Sequence, residues 1–137
     1  KLDEGFDFIQ ASRFIRGGVA VNTPISRLIA IKFIHSPITS LGAGFRFTDS
    51  TNGFRGHSSL LIRDERLGLF RDVFDTYELL AYMPIRAARL GYKCVEIPAT
   101  RSYPSHGEVP TKIHGVKSQL SILRILFEAA LGRYNPS

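Results

Sequence analysis

Strand-like and helix-like segments alternate along this chain, and this order limits most strongly which folds it can adopt. Strands are predicted at Phe6–Ser12, Phe45–Thr48 and Tyr92–Ala99 from their runs of apolar and alternating residues. The alternation predicts an α/β fold, with a small mixed sheet and flanking helices. Because three strands are too few to cover helices this apolar, we expect a further layer to be encoded upstream of Lys1.

Two helix starts are predicted from their capping residues. Thr23 followed by Pro24 predicts a helix that runs to about residue 35 and restarts or kinks there before ending near residue 43. Asp75 and Glu78 have the spacing of a capping box, which predicts a second helix ending near residue 90 and kinked at Pro84. Glu78 is therefore expected to cap the helix, and the alternative is that it is a catalytic carboxylate.

Composition indicates one globular domain with a basic surface. The 137 residues are 44% hydrophobic and 22% charged, and the formal net charge is +6. This charge favours a polyanionic partner, which could be nucleic acid, an anionic membrane or a phosphorylated substrate. The single cysteine, Cys94, excludes an internal disulfide and a multi-cysteine metal site. No apolar run approaches the roughly 20 residues of a membrane span.

Several cations lie where anions are commonly bound. Arg13 follows the end of a predicted strand, where ligands gather in open α/β sheets. Arg27 lies near the start of a predicted helix, where it is either solvated or shares a bound anion with the helix terminus. Arg101, His106 and Lys112 lie in a long loop that either is solvated or closes over a phosphorylated ligand.

The sequence DSTNGFRG places an acidic residue and an arginine in one tight loop. Asn52 and Gly53 readily take a positive φ, so the chain is predicted to reverse there and to bring Asp49 and Arg55 face to face. In one interpretation this ion pair only pins the loop. In the other, Asp49 points into a cleft as a base or charge stabiliser, and Arg55 holds its geometry.

The last predicted helix, 116–131, has apolar residues over most of its circumference. Its charged residues are Lys117, Arg124 and Glu128, with Arg133 just beyond. A core helix is the default interpretation, and a helix lying in an anionic membrane interface is the alternative. We therefore divide the chain into residues 1–115 and an amphipathic C-terminal segment, 116–137.

Five stretches of the chain resemble, in family order, the C-terminal half of family 2 glycosyltransferases. The resemblance is greatest to the branch of dolichol-phosphate mannose synthases and polyprenyl-phosphate glucosyltransferases. The stretches are QASRFIRGG, TPISR, DSTNGFRG, YELLAYMPIRAARLGYKCVEIPATR and HGEVPTK. Together they extend over most of the chain.

The resemblance implies the acceptor-binding C-terminal part of a GT-A fold. In such enzymes the N-terminal half binds the nucleotide sugar and a divalent metal, Mg or Mn, through an Asp-x-Asp motif. The chain has no such motif at a strand end, since Asp72 and Asp75 lack the spacing. We therefore expect no metal ligands in this chain, donor binding by an absent half, and no activity of the fragment alone.

The resemblance also implies roles for individual residues. Arg13 and Arg27 match arginines that contact a lipid phosphate, while Asp49 matches an active-site acid with Arg55 as its companion. Lys112 lies near a family lysine, although the loop before it is two residues longer here. The predicted catalytic residues are Asp49 and Glu78, and the predicted acceptor-phosphate ligands are Arg13, Arg27, Arg55, Arg101 and Lys112.

The function implied by the resemblance is inverting, metal-dependent transfer of a sugar from a nucleotide-sugar donor to a lipid phosphate. The enzyme is expected at the cytoplasmic face of an anionic membrane. One alternative keeps the fold and transfers sugar to a glycan hydroxyl. Another is a non-catalytic basic module that binds nucleic acid or a membrane, although no recognition helix or aromatic-basic platform for nucleic acid is evident.

Overall fold

The computed structural model describes residues 1–106 and 115–137 and shows a mixed α/β protein. The predicted fold class, a small mixed sheet with flanking helices, is confirmed. In chain order the elements are β1 (Phe8–Ser12), β2 (Val19–Val21), α1 (Ile25–Ala30), a π-helical turn (Ile31–His35), α2 (Ser36–Ala43), β3 (Arg55–His57), α3 (Ser59–Arg63), α4 (Glu78–Arg89), β4 (Cys94–Pro98), β5 (Thr100–Ser102) and α5 (Gly115–Ala130).

The central strand of the main sheet is β1. It pairs antiparallel with β3, placing Ile9 opposite Gly56, and parallel with β4, placing Gln10 opposite Glu96. All residues of β1 are buried, as expected for a strand covered on both faces. The strands β2 and β5 form a separate parallel pair. The backbone of Ala99 bonds to both sheets, so the end of β1 lies close to β5.

The helices α2, α4 and α5 pack against one another and against β1 to form the core. The closest approach is at Gly42, where an added Cβ would lie 3.0 Å from the Cβ of Ala130 and 3.2 Å from Ile85. The largest side chains of this core come from β1, the loops, α3, α4 and α5. They include Phe8, Phe47, Leu61, Leu67, Tyr82, Met83 and Ile125.

The strand predicted at Phe45–Thr48 is wrong. The N–H of Phe47 donates to the Ser40 hydroxyl and that of Thr48 donates to the Glu96 carboxylate, so side chains replace the partner strand. The strand in this part of the chain is β3, which follows the turn instead of preceding it. The three-residue strand β2 lies in a segment for which the sequence predicts no element, and β5 overlaps the start of the predicted long loop.

Both predicted helix caps are also wrong. The helix α1 begins at Ile25 after Pro24, and the Thr23 hydroxyl makes no cap hydrogen bond. The helix α4 begins at Glu78, whose carboxylate folds back onto Thr76 instead of bonding an Asp75 cap. The predicted break near residue 36 is a π-helical turn, so the helix continues through it into α2.

Candidate functional site

A buried ion pair joins Arg13, just after β1, to Asp49, in the loop after α2. Arg13 Nε lies 2.7 Å from Asp49 Oδ2, and Nη2 lies 2.7 Å from Oδ1. The backbone N–H of Arg13 also donates to Oδ2 at 3.1 Å. The two side chains are only 1% and 0% exposed. Burial opposes the arginine's charge, but the Asp49 carboxylate outweighs it and raises the pKa of Arg13.

The carboxylate of Glu96 on β4 fixes the loop that carries Asp49. It accepts the N–H and the hydroxyl of Thr48, both at 2.7 Å, and the N–H of Asp49 at 3.3 Å. The Thr48 hydroxyl lies 2.6 Å from that of Ser12, at the end of β1. Burial raises the pKa of Glu96. These bonds tie the loop to two adjacent strands and so hold Asp49 against Arg13.

Arg55 does not pair with Asp49, so that expectation is wrong. Its Nη2 donates to the carbonyl of Ser50 at 2.9 Å, and its Nη1 donates to the carbonyl of Leu80 at 2.8 Å. Burial lowers the pKa of Arg55 to about 10, although the charge of Asp49 opposes this shift. Arg55 therefore bonds the loop that carries Asp49, but through the backbone carbonyl of Ser50 and not through the Asp49 carboxylate.

The reversal of the loop also differs from the prediction. Neither Asn52 nor Gly53 has a positive φ, and the non-glycine residue that does in the described chain is Asn22. Instead, Oδ1 of the Asn52 side chain accepts the N–H of Phe54 at 3.1 Å. The backbone carbonyl of Asn52 accepts from Gln10 Nε2 at 2.8 Å. A side-chain turn therefore replaces the expected left-handed backbone.

A cavity of about 580 Å³ opens beside the ion pair, between α1, α4, α5 and the end of β5. Three of the predicted cations, Arg13, Arg27 and Arg101, lie on its wall. Half of the other lining residues are aliphatic. These apolar residues include Ala30, Ile31, Leu80, Ala81, Ile122 and Leu126. The cavity thus combines a cationic end with an apolar body.

Tyr103 joins two of these cations. Its hydroxyl accepts from Arg27 Nη1 at 3.0 Å and from Arg101 Nε at 3.2 Å, and both guanidinium groups lie over its ring. Burial opposes ionisation, but the two arginines outweigh it and lower the pKa of Tyr103. The sequence analysis missed this residue. Tyr103 is two residues after Arg101 and directly follows β5. Recognition of β5 would therefore have indicated that the two side chains lie on the same side of the chain.

Arg13, Arg27 and Arg101 form an arginine cluster on the cavity wall, and one donor of Arg13 has no acceptor in the described part of the chain. Arg13 Nη1 is buried and has no hydrogen-bond partner among residues 1–106 and 115–137. Buried guanidinium donors are normally satisfied, because an unpaired one costs the desolvation of a charged group. Arg13 lines the cavity. An anion bound there is the natural acceptor for this N–H.

A histidine that the sequence analysis did not single out also lines the cavity. His35 ends the π-helical turn, a structure that is often found at functional sites. Burial lowers its pKa, so the imidazole is neutral at pH 7.

Of the other predicted residues that the structure describes, Glu78 and His106 do not line the cavity. Glu78 is not part of its lining, and its carboxylate accepts the N–H and hydroxyl of Thr76 at 2.6 and 3.0 Å. Burial opposes ionisation of Glu78, but these hydrogen bonds outweigh it and lower the pKa. Lys112 lies outside the described residues, while the exposed His106 contacts Ser105.

Neither a metal site nor a membrane span is found in the part of the chain that the structure describes. No three His, Cys, Asp or Glu side chains in it are grouped to hold a metal ion, so the described residues do not fit one. Of the helices described there, none combines the length and the apolar character needed to traverse a bilayer.

Comparison with known proteins finds a curated protein of similar sequence. Over 94 residues, 69% of this chain, the sequence is 33% identical to the undecaprenyl-phosphate mannosyltransferase of Micrococcus luteus. That relative is a glycosyltransferase. The match covers 37% of its length, so the chain spans little more than a third of it. No family model matches the chain, and no solved structure matches it.

Proposed function

We propose that this chain is the acceptor-binding part of a family 2 glycosyltransferase that transfers a sugar to a lipid phosphate of the polyprenyl type. The observation that carries the proposal is the buried, unpartnered Nη1 of Arg13 beside a cavity with a cationic end and an apolar body. Similarity to a mannosyltransferase whose name includes undecaprenyl phosphate supports the same chemistry.

The proposed ligand pose follows from the distribution of charge. The phosphate lies at the arginine cluster, where Arg13 and Arg27 offer charge-assisted hydrogen bonds and Arg101 adds positive charge. The first isoprene units lie along the aliphatic wall formed by α4 and α5. Each charge-assisted bond contributes about 1.5–3 kcal/mol, so a few of them give useful affinity for a phosphate monoester.

The positions of the acids favour a phosphate over a hydroxyl acceptor. A hydroxyl needs a base to take its proton, whereas a phosphate oxygen is already anionic. Asp49 is fully buried and holds Arg13 with both carboxylate oxygens, and Glu78 is bonded to Thr76 away from the cavity lining. In the proposed mechanism Asp49 therefore orients Arg13, which in turn holds the nucleophilic phosphate.

The rest of the proposed reaction requires a separate nucleotide-binding half. That half would bind the nucleotide sugar and the divalent metal, whose role is to neutralise the leaving diphosphate. The present residues position the acceptor for in-line, inverting attack on the anomeric carbon. We place the enzyme at the cytoplasmic face of a membrane, because a polyprenyl phosphate is delivered from a bilayer.

The test is binding of farnesyl phosphate and of farnesol to the chain, measured by calorimetry. The phosphate is expected to bind at least about tenfold more tightly, because the alcohol cannot accept from the arginines. Arg27→Met and Arg101→Met should reduce this preference, and Arg63→Met, an exposed residue of α3, should not. Equal affinity for the two ligands would overturn the proposal.

A further inference from the structure

One backbone carbonyl of α4 lacks its usual hydrogen-bond donor within the helix because of a proline in the sequence. Pro84 lies inside α4 and has no N–H, so the carbonyl of Leu80, four residues earlier, has no donor from within the helix. The structure supplies a donor from elsewhere in the chain. Arg55 Nη1 bonds this carbonyl at 2.8 Å.

The same guanidinium reaches the loop that carries Asp49. Arg55 Nη2 bonds the carbonyl of Ser50 at 2.9 Å, and the group lies over the ring of Phe8, 5.7 Å from its centre. Ser50 and Leu80 both line the cavity, whereas Arg55 does not. Arg55 thus joins two parts of the cavity wall, one from the Asp49 loop and one from α4.

We infer that Arg55 is a positioning residue that fixes the distance between the Asp49 loop and α4, using the carbonyl that Pro84 keeps free. Its role in acceptor binding is therefore indirect, which revises the expectation that it contacts the phosphate. The ligand part of this inference rests on the proposed function, while the Arg55–Pro84 coupling does not.

The first test compares Arg55→Met and Arg55→Lys for binding of farnesyl phosphate, at temperatures where each variant is folded. Lysine keeps the charge but cannot bridge two carbonyls with one planar group. Both variants are therefore expected to bind about tenfold more weakly, with Arg63→Met as the unaffected control. Wild-type affinity of Arg55→Lys would mean that only the charge matters, and it would overturn the inference.

The second test is a double-mutant cycle that needs no ligand. In Pro84→Ala the new N–H can serve the Leu80 carbonyl, so removal of Arg55 no longer leaves that carbonyl unpaired. Arg55→Met is expected to lower the denaturation midpoint less in the Pro84→Ala background than in the wild type. Equal losses in the two backgrounds would contradict the coupling. If the wild type fails to bind farnesyl phosphate, the proposed function fails, and this cycle still decides the role of Arg55.

Discussion

Arg13 and Asp49 show how single residues set up the cavity. Removing both charges from water is costly, and a buried ion pair by itself is weak evidence of stability. What the pair provides is geometry, since two hydrogen bonds from the guanidinium and one from the backbone N–H of Arg13 hold it on Asp49. They leave Nη1 without an acceptor among the described residues. The pair therefore presents one donor at a defined place instead of a mobile charge.

Asp49→Asn should destabilise the protein far more than its similar size suggests. The substitution keeps the shape but leaves the buried charge of Arg13 without its counter-charge, so we expect the free energy of unfolding to fall by about 3 kcal/mol. Urea denaturation measures this loss. Glu4→Gln is the matched control, because Glu4 pairs with Lys1 at the exposed surface and its loss should be barely detectable. A similarly small loss for Asp49→Asn would show that the buried pair is not needed.

Tyr103 should ionise at a lower pH than most other tyrosines. Its pKa is lowered, whereas burial raises the pKa of Tyr82, and burial together with neighbouring carboxylates raises those of Tyr92 and Tyr134. An alkaline titration followed by tyrosinate absorbance should contain an early step that Tyr103→Phe removes. Between the folded and unfolded pKa the unfolded chain binds more protons, so stability relative to Tyr103→Phe should rise with pH in that window. A titration unchanged by Tyr103→Phe would contradict the assignment.

The residue scale also shows what the sequence could and could not predict. The sequence singles out Arg13 at a strand end, Arg27 near a helix start and Arg101 in a long loop, and the structure brings all three to one cavity. The partner of Asp49 was predicted wrongly because the nearby Arg55 was preferred to the distant Arg13. Proximity in sequence decides pairing within a helix or a hairpin, but here strand order decides it.

At the scale of elements, the long helices were predictable and the short strands were not. The segments α4 and α5 have sustained apolar periodicity, which survives errors at either end. The strands β2 and β5 are three residues long and pair with each other across most of the chain, so no local pattern marks them. At Ser36-Pro37 the sequence predicts a restart or kink, whereas the helix continues there through the π-helical turn into α2.

Gly42→Ala should test how tightly α2, α4 and α5 are packed. Alanine gains about 1 kcal/mol of helix propensity over glycine, but its Cβ would lie 3.0 Å from Ala130 and 3.2 Å from Ile85. Overpacking of this kind costs about 1–3 kcal/mol, so we expect net destabilisation in thermal unfolding. Ala130→Gly should restore part of the loss. Gly53→Ala is the control, because a Cβ there meets nothing within 4 Å. Stabilisation by Gly42→Ala would show that the helices can move apart freely.

Many large apolar side chains are exposed among the residues that the structure describes. On α1 and the π-helical turn, Ile25 and Phe33 are 76% and 73% exposed, and on α5, Leu120 and Phe127 are 60% and 53% exposed. The net charge is +6. Apolar stripes together with positive charge are typical of helices that lie on anionic lipid. The sequence suggested such a role for the last helix, and the exposure of α1 adds a second element to this surface.

We therefore predict that the chain binds vesicles containing phosphatidylglycerol more tightly than vesicles of phosphatidylcholine alone, and that added salt weakens the binding. Insertion of one phenylalanine ring contributes about 1.5–3 kcal/mol, so Phe33→Ser should weaken partitioning at least about tenfold in a flotation assay. Phe70→Ser is the matched control, since Phe70 is 87% exposed but lies outside α1, the π-helical turn and α5. Equal losses for Phe33→Ser and Phe70→Ser would indicate nonspecific adsorption. Retained binding in Phe33→Ser, with loss in Leu120→Ser, would assign the lipid contact to α5 alone, as the sequence first suggested.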